Sequence, residues 1–513
     1  MNTKKPFYIS TAIPYVNAKP HIGYALECVQ TDARARFERL VGRNVFFLTG
    51  TDENSLKNVQ AAEKIGEDVT KFVDEHAEKF KELKSILDIS YDDFIRTTEQ
   101  RHFIGAQKLW RQFKSEDVYK KQYKGLYCVG CEAFYTEDEL IDGSVCPEHK
   151  KPCDVVEEEN YFFKLGNYSN QLRELVEKNV IKIYPEARKN EWLAFIDRGL
   201  EDFSISRSVE RAHGWGVPVP GDESQIMYVW VDALSNYITA LGYGGDEQKY
   251  GAYWVQEKDR QVVHVIGKGI GKFHVLYWPA FLLSAGVPLP TEIFIHGYVT
   301  VEGEKISKSL GNVIDPREVV EKYGTDAVRY YLLGAIPAAQ DGDFSYARFE
   351  EFYTAHLVNG VGNLTSRVLS MIEKYNGGDI PENKEWGLRI DYVSDFWRLY
   401  KEDFENYSFD SIVGLINGLV AGLDNLISTQ KPWEMVKKGE DPTGLLYDLS
   451  ENLRHIAIAL LPIIPTSATK ILDQLGIDTN KLEDLEIEMQ WGRLVSGTKI
   501  KKGEILFPRL EKK

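Results

Sequence analysis

The stretch Pro20-His21-Ile22-Gly23-Tyr24 decides how the rest of the chain is interpreted. It follows an apolar run at residues 7–12 that predicts a buried strand. It precedes apolar residues at three- and four-residue spacing that predict a helix. A strand, a tight turn and a helix N-terminus form a ready binding site for an anion. Gly23 lets a ligand approach the backbone closely because it has no Cβ, and His21 and Tyr24 place ring donors beside it.

A second stretch, Lys305-Ile306-Ser307-Lys308-Ser309, lies far along the chain between Gly303 and Gly311. Two lysines and two hydroxyls on a loop flanked by glycines suit a clamp on phosphate groups. Together the two stretches predict an α/β protein that binds a phosphorylated ligand.

The predicted elements divide the chain into five parts. Residues 1–116 and 228–302 alternate strands with helices, which predicts the two halves of one Rossmann-type parallel sheet. Residues 117–227 interrupt that alternation and form an insertion between the halves. Residues 303–359 form a short α/β module around the lysine loop, and residues 360–513 show helical periodicity that predicts an α-helical bundle. The predicted fold class is therefore α/β, with a split parallel sheet and a C-terminal helical domain.

Short apolar runs predict strands at residues 44–49, 225–231, 262–266 and 293–301. Asp315-Pro316 predicts the start of a helix, with aspartate as the N-cap and proline at the first helical position.

Two polar residues in the sheet halves have more than one interpretation. Asp52 follows the predicted strand at residues 44–49, at the edge where open α/β sheets bind ligands. It is either the N-cap of the next helix or a carboxylate that pairs with a substrate ammonium group. His274 lies among aromatic residues and is either a core histidine or part of a ligand pocket.

The cysteines predict a metal site in the insertion. Cys128-x-x-Cys131 and Cys146-x-x-His149 form two pairs with two-residue gaps, the spacing that offers four ligands to tetrahedral zinc. Cys153 is an alternative to His149, although its spacing from Cys146 is less typical. Scattered structural thiols are the competing interpretation. Cys28, in the first helix, is expected to be a buried apolar residue.

Composition limits the class of protein. The 513 residues carry a formal net charge of −16 at pH 7, which argues mildly against a generic nucleic-acid binder, since such proteins are usually basic. Apolar and charged residues make up 43% and 27% of the chain, as in ordinary soluble proteins. No uninterrupted apolar run approaches a membrane span and no signal peptide is visible. We therefore expect a cytoplasmic protein with no membrane partner.

The two stretches described first also resemble a known family. His21-Ile22-Gly23-Tyr24 is similar to the His-Ile-Gly-His signature of class I aminoacyl-tRNA synthetases, and the lysine loop is similar to their Lys-Met-Ser-Lys-Ser loop. Within that class the chain most resembles the methionyl-tRNA synthetases of the single zinc-knuckle type, from residue 7 to about residue 509. The stretches that carry this resemblance are Ala12-Ile13-Pro14-Tyr15-Val16-Asn17, Thr51-Asp52-Glu53, Tyr228-Val229-Trp230-Val231-Asp232-Ala233, the run IGKFHVLYW at residues 270–278 and the Cys128, Cys131, Cys146 and His149 set.

The resemblance implies three groups of site residues. The methionine pocket would be formed by Ile13, Tyr15, Asp52, Trp230, Ala233, Leu234, Tyr237, Ile270, His274 and Trp278. The ATP site would use His21, Gly23, Tyr24, Glu27, Lys305 and Lys308, of which His21, Tyr24, Lys305 and Lys308 would be catalytic. The anticodon of the tRNA would be bound by Asn363, Arg367 and Trp433 on the helical domain.

The resemblance also implies the reaction, its cofactors and its partners. The methionine carboxylate would attack the α-phosphorus of ATP, and the 3′-terminal ribose hydroxyl of methionine tRNA, initiator and elongator, would then attack the methionyl adenylate. One structural Zn²⁺ per chain and Mg²⁺ with ATP are the implied cofactors. Nothing like an appended dimerising domain follows the helical region, so we expect a monomer.

Three other functions stay open at this point. Tyr24 stands where the family usually has a second histidine, and Gly269 stands where it usually has an aspartate, so a paralogue that binds tRNA without activating an amino acid is one alternative. An adenylyltransferase that uses no tRNA is another, although the helical domain argues against it. The third is a class I synthetase for leucine, isoleucine, valine or cysteine.

Overall fold

The structure, a computed structural model, describes residues 4–511 apart from residues 129, 131–132, 136, 149, 257, 307–310, 385, 387–391 and 502. The contacts within the chain divide it into two units. The first unit contains Met1–Pro20, Val45–Lys84 and Tyr91–His296, and the second contains His21–Asn44, Ser85–Ser90 and Gly297–Lys513. The domain boundaries near residues 117, 228, 303 and 360 stay predictions.

The strands that the described residues form are between two and eleven residues long. In chain order they are β1 (Pro6–Thr11), β2 (Asn44–Thr51), β3 (Asp93–Arg96), β4 (Val118–Cys128), β5 (Ala133–Tyr135), β6 (Asp154–Phe163), β7 (Lys182–Tyr184), β8 (Phe203–Ser204), β9 (Ser206–Ser208), β10 (Gln225–Met227), β11 (Gln261–Gly267), β12 (Glu292–His296), β13 (Val299–Val301), β14 (Glu304–Lys305) and β15 (Gly342–Phe344).

The α-helices of the same residues follow the strands closely in the first half of the chain and dominate its second half. In chain order they are α1 (Ile22–Leu40), α2 (Leu56–Ile65), α3 (Val69–Lys81), α4 (Leu83–Ile86), α5 (Gln100–Gln112), α6 (Ser169–Glu177), α7 (Glu186–Asp197), α8 (Val229–Thr239), α9 (Gln248–Tyr250), α10 (Trp278–Ala285), α11 (Pro316–Tyr323), α12 (Thr325–Gly334), α13 (Tyr346–Phe352), α14 (Asn363–Tyr375), α15 (Tyr392–Glu405), α16 (Phe409–Gln430), α17 (Pro432–Lys437), α18 (Thr443–Leu460), α19 (Pro465–Gln474) and α20 (Leu485–Glu488).

A six-stranded sheet in the order β3-β2-β1-β11-β12-β7 forms the centre of the first unit. β1 pairs in parallel with β11, with Phe7 opposite Gln261, although the whole insertion lies between them in the sequence. All six residues of β1 are buried, as expected for a central parallel strand covered on both faces. The prediction of one parallel sheet split by an insertion is therefore confirmed.

The insertion contains a separate antiparallel sheet in the order β5-β4-β6-β8. β4 and β6 pair over ten residues, from Val118 opposite Phe163 to Tyr127 opposite Asp154. This ribbon ends at Cys128, which is buried. β7 also lies within the predicted insertion, but it forms the edge strand of the central sheet.

Two of the predicted strands differ from the structure. The strand predicted at residues 225–231 ends at Met227, and α8 begins at Val229. Every residue of α8 is buried, so the apolar run of β10 continues through its first turn, Val229-Trp230-Val231, without helical spacing. The strand predicted at residues 293–301 is two strands, β12 and β13, separated at Gly297. A Cβ on Gly297 would lie 2.1 Å from the backbone of Gln340, so the close approach requires glycine.

The second unit contains most of the helical region. Its longest helix, α16, buries Ile412, Val413, Ile416, Val420, Leu423 and Ile427, which follow one another at helical spacing. By length and composition alone the helical segment Phe409–Lys437 is long and apolar enough to cross a membrane, and 33% of its apolar stretch of 18 residues is buried. The contacts of α16 with α12, α15 and α18 explain the apolar face, because that face packs in the helical core.

Candidate active site

The predicted helix after the first strand begins as expected. α1 starts at Ile22, and His21 is its N-cap, with its Nδ1 accepting a hydrogen bond from the Gly23 amide at 3.1 Å. Because Nδ1 accepts, the ring proton lies on Nε2, which can donate to a ligand. Burial lowers the pKa of His21, so the ring is neutral near pH 7 and donates without a positive charge.

Gly23 leaves room for the His21 ring at this helix start. A Cβ at this position would lie 3.0 Å from that ring, closer than most side chains pack, so a larger residue would displace the ring. Tyr24 is half-buried in the first turn, and Glu27 is buried one turn further on. The four predicted ATP residues of this stretch therefore occupy the N-cap and the first two turns of α1, in the second unit.

The lysine loop also lies in the second unit. The backbone of Lys305 is the end of β14, which pairs with β13. Lys308 lies outside the described residues. Asp315 accepts a hydrogen bond from the Arg317 amide at 2.9 Å as the N-cap of α11, and Pro316 is the first helical residue, which confirms the prediction for this helix.

The ten predicted methionine residues all lie in the first unit. Nine of them are carried by three segments: α8, the turns before and at the start of α10, and the chain that follows β1. Seven are buried, and Ile13, Tyr15 and Ile270 are half-buried: the buried set is Asp52, Trp230, Ala233, Leu234, Tyr237, His274 and Trp278.

A hydrogen-bonded chain links α8 to the segment that carries His274. His274 Nδ1 lies 3.0 Å from the Ile270 carbonyl oxygen, so it must be the protonated nitrogen. His274 Nε2 lies 2.7 Å from the Tyr237 hydroxyl and therefore accepts from it. Burial lowers the pKa of His274 to about 4, which keeps the ring neutral. His274 also lies in a π-helical turn, Phe273–Tyr277, of the kind that often marks functional sites.

Aromatic contacts complete this region, and two of the residues involved were not among the predicted pocket residues. Phe273 stacks on Trp230, with ring centroids 3.6 Å apart and an interplanar angle of 7°. The ring centroids of His264 and Tyr237 lie 4.0 Å apart. The position of Phe273 beside His274 was the sequence signal that could have identified it. No sequence signal identified His264, because the β11 sequence resembles an ordinary buried strand.

Asp52 is not an N-cap, so one of its two interpretations is wrong. Ser55 caps α2 instead, with its side chain accepting from the Lys57 amide at 3.1 Å. Asp52 is 2% exposed, and its amide donates to the Pro14 carbonyl at 2.9 Å. Its backbone forms an isolated parallel β-bridge with that of Tyr15. The backbones of Asp52 and Tyr15 thus lie side by side, and the pairing of the Asp52 carboxylate with a substrate ammonium group stays a prediction.

The predicted zinc ligands are only partly described. Cys128 and Cys146 are buried, whereas Cys131 and His149 lie outside the described residues. Burial and the neighbouring thiols of Cys128 and Cys146 raise the pKa of the Cys153 thiol to about 11, so the alternative ligand Cys153 lies beside both. Within the described ranges no three His, Cys, Asp or Glu side chains are arranged to hold a metal ion. Cys28 is buried, as predicted.

Two of the three predicted anticodon residues come together on one helix. Arg367 Nη1 lies 2.5 Å from Asp424 Oδ1, and Asn363 Nδ2 lies 3.4 Å from the same oxygen. Asp424 was not predicted, and no sequence pattern links it to α14 across 57 residues. Trp433 is half-buried on α17 and has no ring contact with any residue in the described part of the chain.

The comparison with protein families agrees with these motifs. The family model described as tRNA synthetases class I (M) matches residues 7–155 and 148–369. The chain belongs to this family. Curated relatives in it extend the match to almost the whole chain. The methionine–tRNA ligase of Brucella suis biovar 1 is 41% identical over 516 residues, which cover 99% of this chain and 98% of the relative. That of Caldanaerobacter subterraneus subsp. tengcongensis is 42% identical and covers 99% of this chain and 79% of the relative.

Solved structures of this class I family give the same result. Mycobacterium tuberculosis methionyl-tRNA synthetase, solved in complex with methionyl-adenylate, is 37% identical, with a TM-score of 0.91 over 98% of this chain and 100% of that chain. The mixed α/β fold with its parallel sheet and C-terminal helical region is therefore the fold of the family. The relatives' shared name favours methionine over leucine, isoleucine, valine or cysteine.

Proposed function

We propose that this protein joins methionine to methionine tRNA at the expense of ATP, in two steps through methionyl-adenylate. The observation that carries the proposal is full-length similarity, at about 41% identity, to methionine–tRNA ligases. The first step joins the methionine carboxylate to the α-phosphorus of ATP and releases pyrophosphate. The second transfers the methionyl group to the 3′-terminal ribose hydroxyl of initiator or elongator tRNA and releases AMP.

Methionine would bind in the first unit. The buried carboxylate of Asp52 would pair with the α-ammonium group, and Trp230 and Trp278 would enclose the side chain, whose sulfur makes favourable contacts with aromatic rings. The Tyr237 hydroxyl, fixed by His274, would give the pocket its polar end. A pocket of this kind rejects larger side chains strongly and near-isosteres weakly.

ATP activation would rely on positioning and on cations placed where negative charge develops. His21 would donate from Nε2 to a phosphate oxygen, and the remaining ATP contacts would come from Gly23, Tyr24 and Glu27. Lys308 is the first choice for stabilising the phosphates in the transition state, with Lys305 assisting. The methionine carboxylate is already ionised, so the step needs no general base. Mg²⁺ would arrive with ATP and neutralise phosphate charge.

The tRNA anticodon would bind at the helical region of the second unit. Arg367 and Asn363, held together by Asp424, can contact base edges, and the half-buried Trp433 can stack on an unpaired base. The net charge of −16 means that such binding would depend on local cations and on shape.

The insertion would hold one structural Zn²⁺ through Cys128, Cys131, Cys146 and His149, because thiolates and an imidazole at this spacing suit tetrahedral zinc. Burial of Cys128 and Cys146 supports the proposal, and the position of Cys153 makes it the alternative to His149. Metal analysis of His149→Ala and Cys153→Ala distinguishes the two, since only loss of a true ligand lowers the zinc content. We further propose that the protein acts in the cytoplasm as a monomer.

Charging of tRNA tests the proposed function. Purified protein, ATP and radiolabelled methionine should yield methionyl-tRNA with transcribed methionine tRNA, and no product with a tRNA whose anticodon is changed. Failure to charge methionine tRNA, from a folded sample that still binds methionine, would contradict the second step. Intrinsic tryptophan fluorescence reports that binding because two tryptophans line the proposed pocket.

A further inference from the structure

The lysine loop is entered through a tight hairpin in the second unit. β13 and β14 pair antiparallel, with Thr300 opposite Lys305 and Val301 opposite Glu304. Glu302 and Gly303 connect the two strands with φ angles of +53° and +81°. Positive φ at both connecting residues is the type I′ geometry that two-residue hairpins prefer.

Glu302 is a poor residue for this turn. Type I′ turns favour Asn-Gly, Asp-Gly or Gly-Gly, because most other side chains are disfavoured at positive φ. The hairpin is also short, since β14 contains only two residues. The turn therefore needs support from outside the hairpin.

Asp343 supplies that support from β15, which pairs in parallel with β13. Its Oδ1 accepts a hydrogen bond from the Gly303 amide at 2.7 Å and another from the Thr300 hydroxyl at 2.8 Å. The Phe344 carbonyl accepts from the Glu302 amide at 3.3 Å. One carboxylate oxygen thus holds both the turn and the residue opposite Lys305.

We infer that Asp343 is a positioning residue for amino acid activation, because it fixes the hairpin register that places the backbone of Lys305. The inference rests on the proposed function, in which Lys305 and Lys308 contact the phosphates of ATP. A one-residue slip in a hairpin turns each side chain to the opposite face. Asp343 touches no substrate in this role and acts only through the hairpin.

The first test compares Asp343→Ala with Asp343→Asn, which keeps an acceptor at Oδ1. The kcat of ATP–pyrophosphate exchange should fall about 10- to 100-fold in the alanine variant, the effect of a displacement of about 1 Å in a catalytic group. The asparagine variant should stay close to wild type. Methionine affinity, measured by tryptophan fluorescence, should not change in either. Glu350→Gln is the matched control, since it removes an acidic partner of Lys322 in the same module and should leave exchange unchanged.

The second test is a rescue through the turn itself. Glu302→Asn creates the favoured Asn-Gly turn and should restore much of the lost exchange in the Asp343→Ala background. Thr300→Val removes only the hydroxyl bond and should lower kcat in the same direction by a smaller factor, which keeps the test decisive if the alanine variant does not fold.

Unchanged exchange in both Asp343→Ala and Thr300→Val would overturn the inference. Loss without rescue by Glu302→Asn would also overturn it, because it would show that Asp343 does not act through the turn. These outcomes differ from failure of the proposed function, in which the wild-type protein itself would show no methionine-dependent exchange.

Discussion

Removal of the Tyr237 hydroxyl is the sharpest perturbation of the proposed methionine pocket. In Tyr237→Phe the fully buried His274 loses the donor to Nε2 while Nδ1 stays bonded to Ile270. A buried acceptor left without a partner costs about 1–3 kcal/mol. At 1.4 kcal/mol per factor of ten, this corresponds to about a 5- to 150-fold change in an equilibrium constant. We expect both a lower free energy of unfolding and a KM for methionine raised by about tenfold, because the imidazole is no longer held at both nitrogens.

The assay is ATP–pyrophosphate exchange at varied methionine concentration, together with urea unfolding. Tyr8→Phe is the matched control, because Tyr8 is also fully buried and donates its hydroxyl to the Tyr237 carbonyl at 2.8 Å. It should lose a similar amount of stability, about 1–3 kcal/mol, without a change in KM for methionine. If Tyr237→Phe kept the wild-type KM while losing the same stability as Tyr8→Phe, the hydrogen bond to His274 would be structural only.

Four further predictions concern the rest of the site. Asp52→Asn should raise the KM for methionine by at least about tenfold through loss of a charged hydrogen bond. The N-cap variant Ser55→Ala should cost only about 1 kcal/mol of stability. Equal KM values for the two variants would contradict the assignment of Asp52 to the methionine ammonium group. The pKa of His274 is about 4 in the folded protein against 6.5 ordinarily. As the pH falls, the imidazole is therefore protonated in the unfolded chain at a higher pH than in the folded protein. The free energy of unfolding should therefore drop between pH 6.5 and 4, with a contribution of about 3 kcal/mol that is missing in His274→Gln, as measured by urea unfolding at each pH. Asp424→Ala should raise the KM for tRNA about tenfold and leave pyrophosphate exchange unchanged, because loss of the Asp424 carboxylate frees the Arg367 side chain. A change in exchange would refute a role limited to tRNA. Tyr24→His should raise the rate of activation, since a histidine can carry positive charge near phosphate, and unchanged kinetics would show that this position does not contact ATP.

Local chemistry was enough to predict the features that depend on neighbouring residues. Asp315 and Pro316 start α11 as their sequence indicates, because an N-cap and a first-turn proline act within one helical turn. The start of α1 at Ile22 is local in the same sense. The split parallel sheet was also predictable. Apolar runs of strand length alternate with helical patterns on both sides of residues 117–227, and this alternation is missing between them.

Features that depend on distant contacts were not predictable from local pattern. The buried helix α8 reads as a strand continuing from β10 because all its faces are covered and its apolar spacing is hidden. The break between β12 and β13 depends on the backbone of Gln340 approaching Gly297. The pairing of Arg367 with Asp424, and the choice of Ser55 over Asp52 as N-cap, likewise appear only once the chain is folded.

The most direct test of the central claim is ATP–pyrophosphate exchange with each of the twenty amino acids, measured without tRNA. The proposed methionine pocket and ATP site predict exchange with methionine and with no other amino acid at comparable concentration. Exchange with a different amino acid, or none with methionine from a folded sample, would contradict the proposed function.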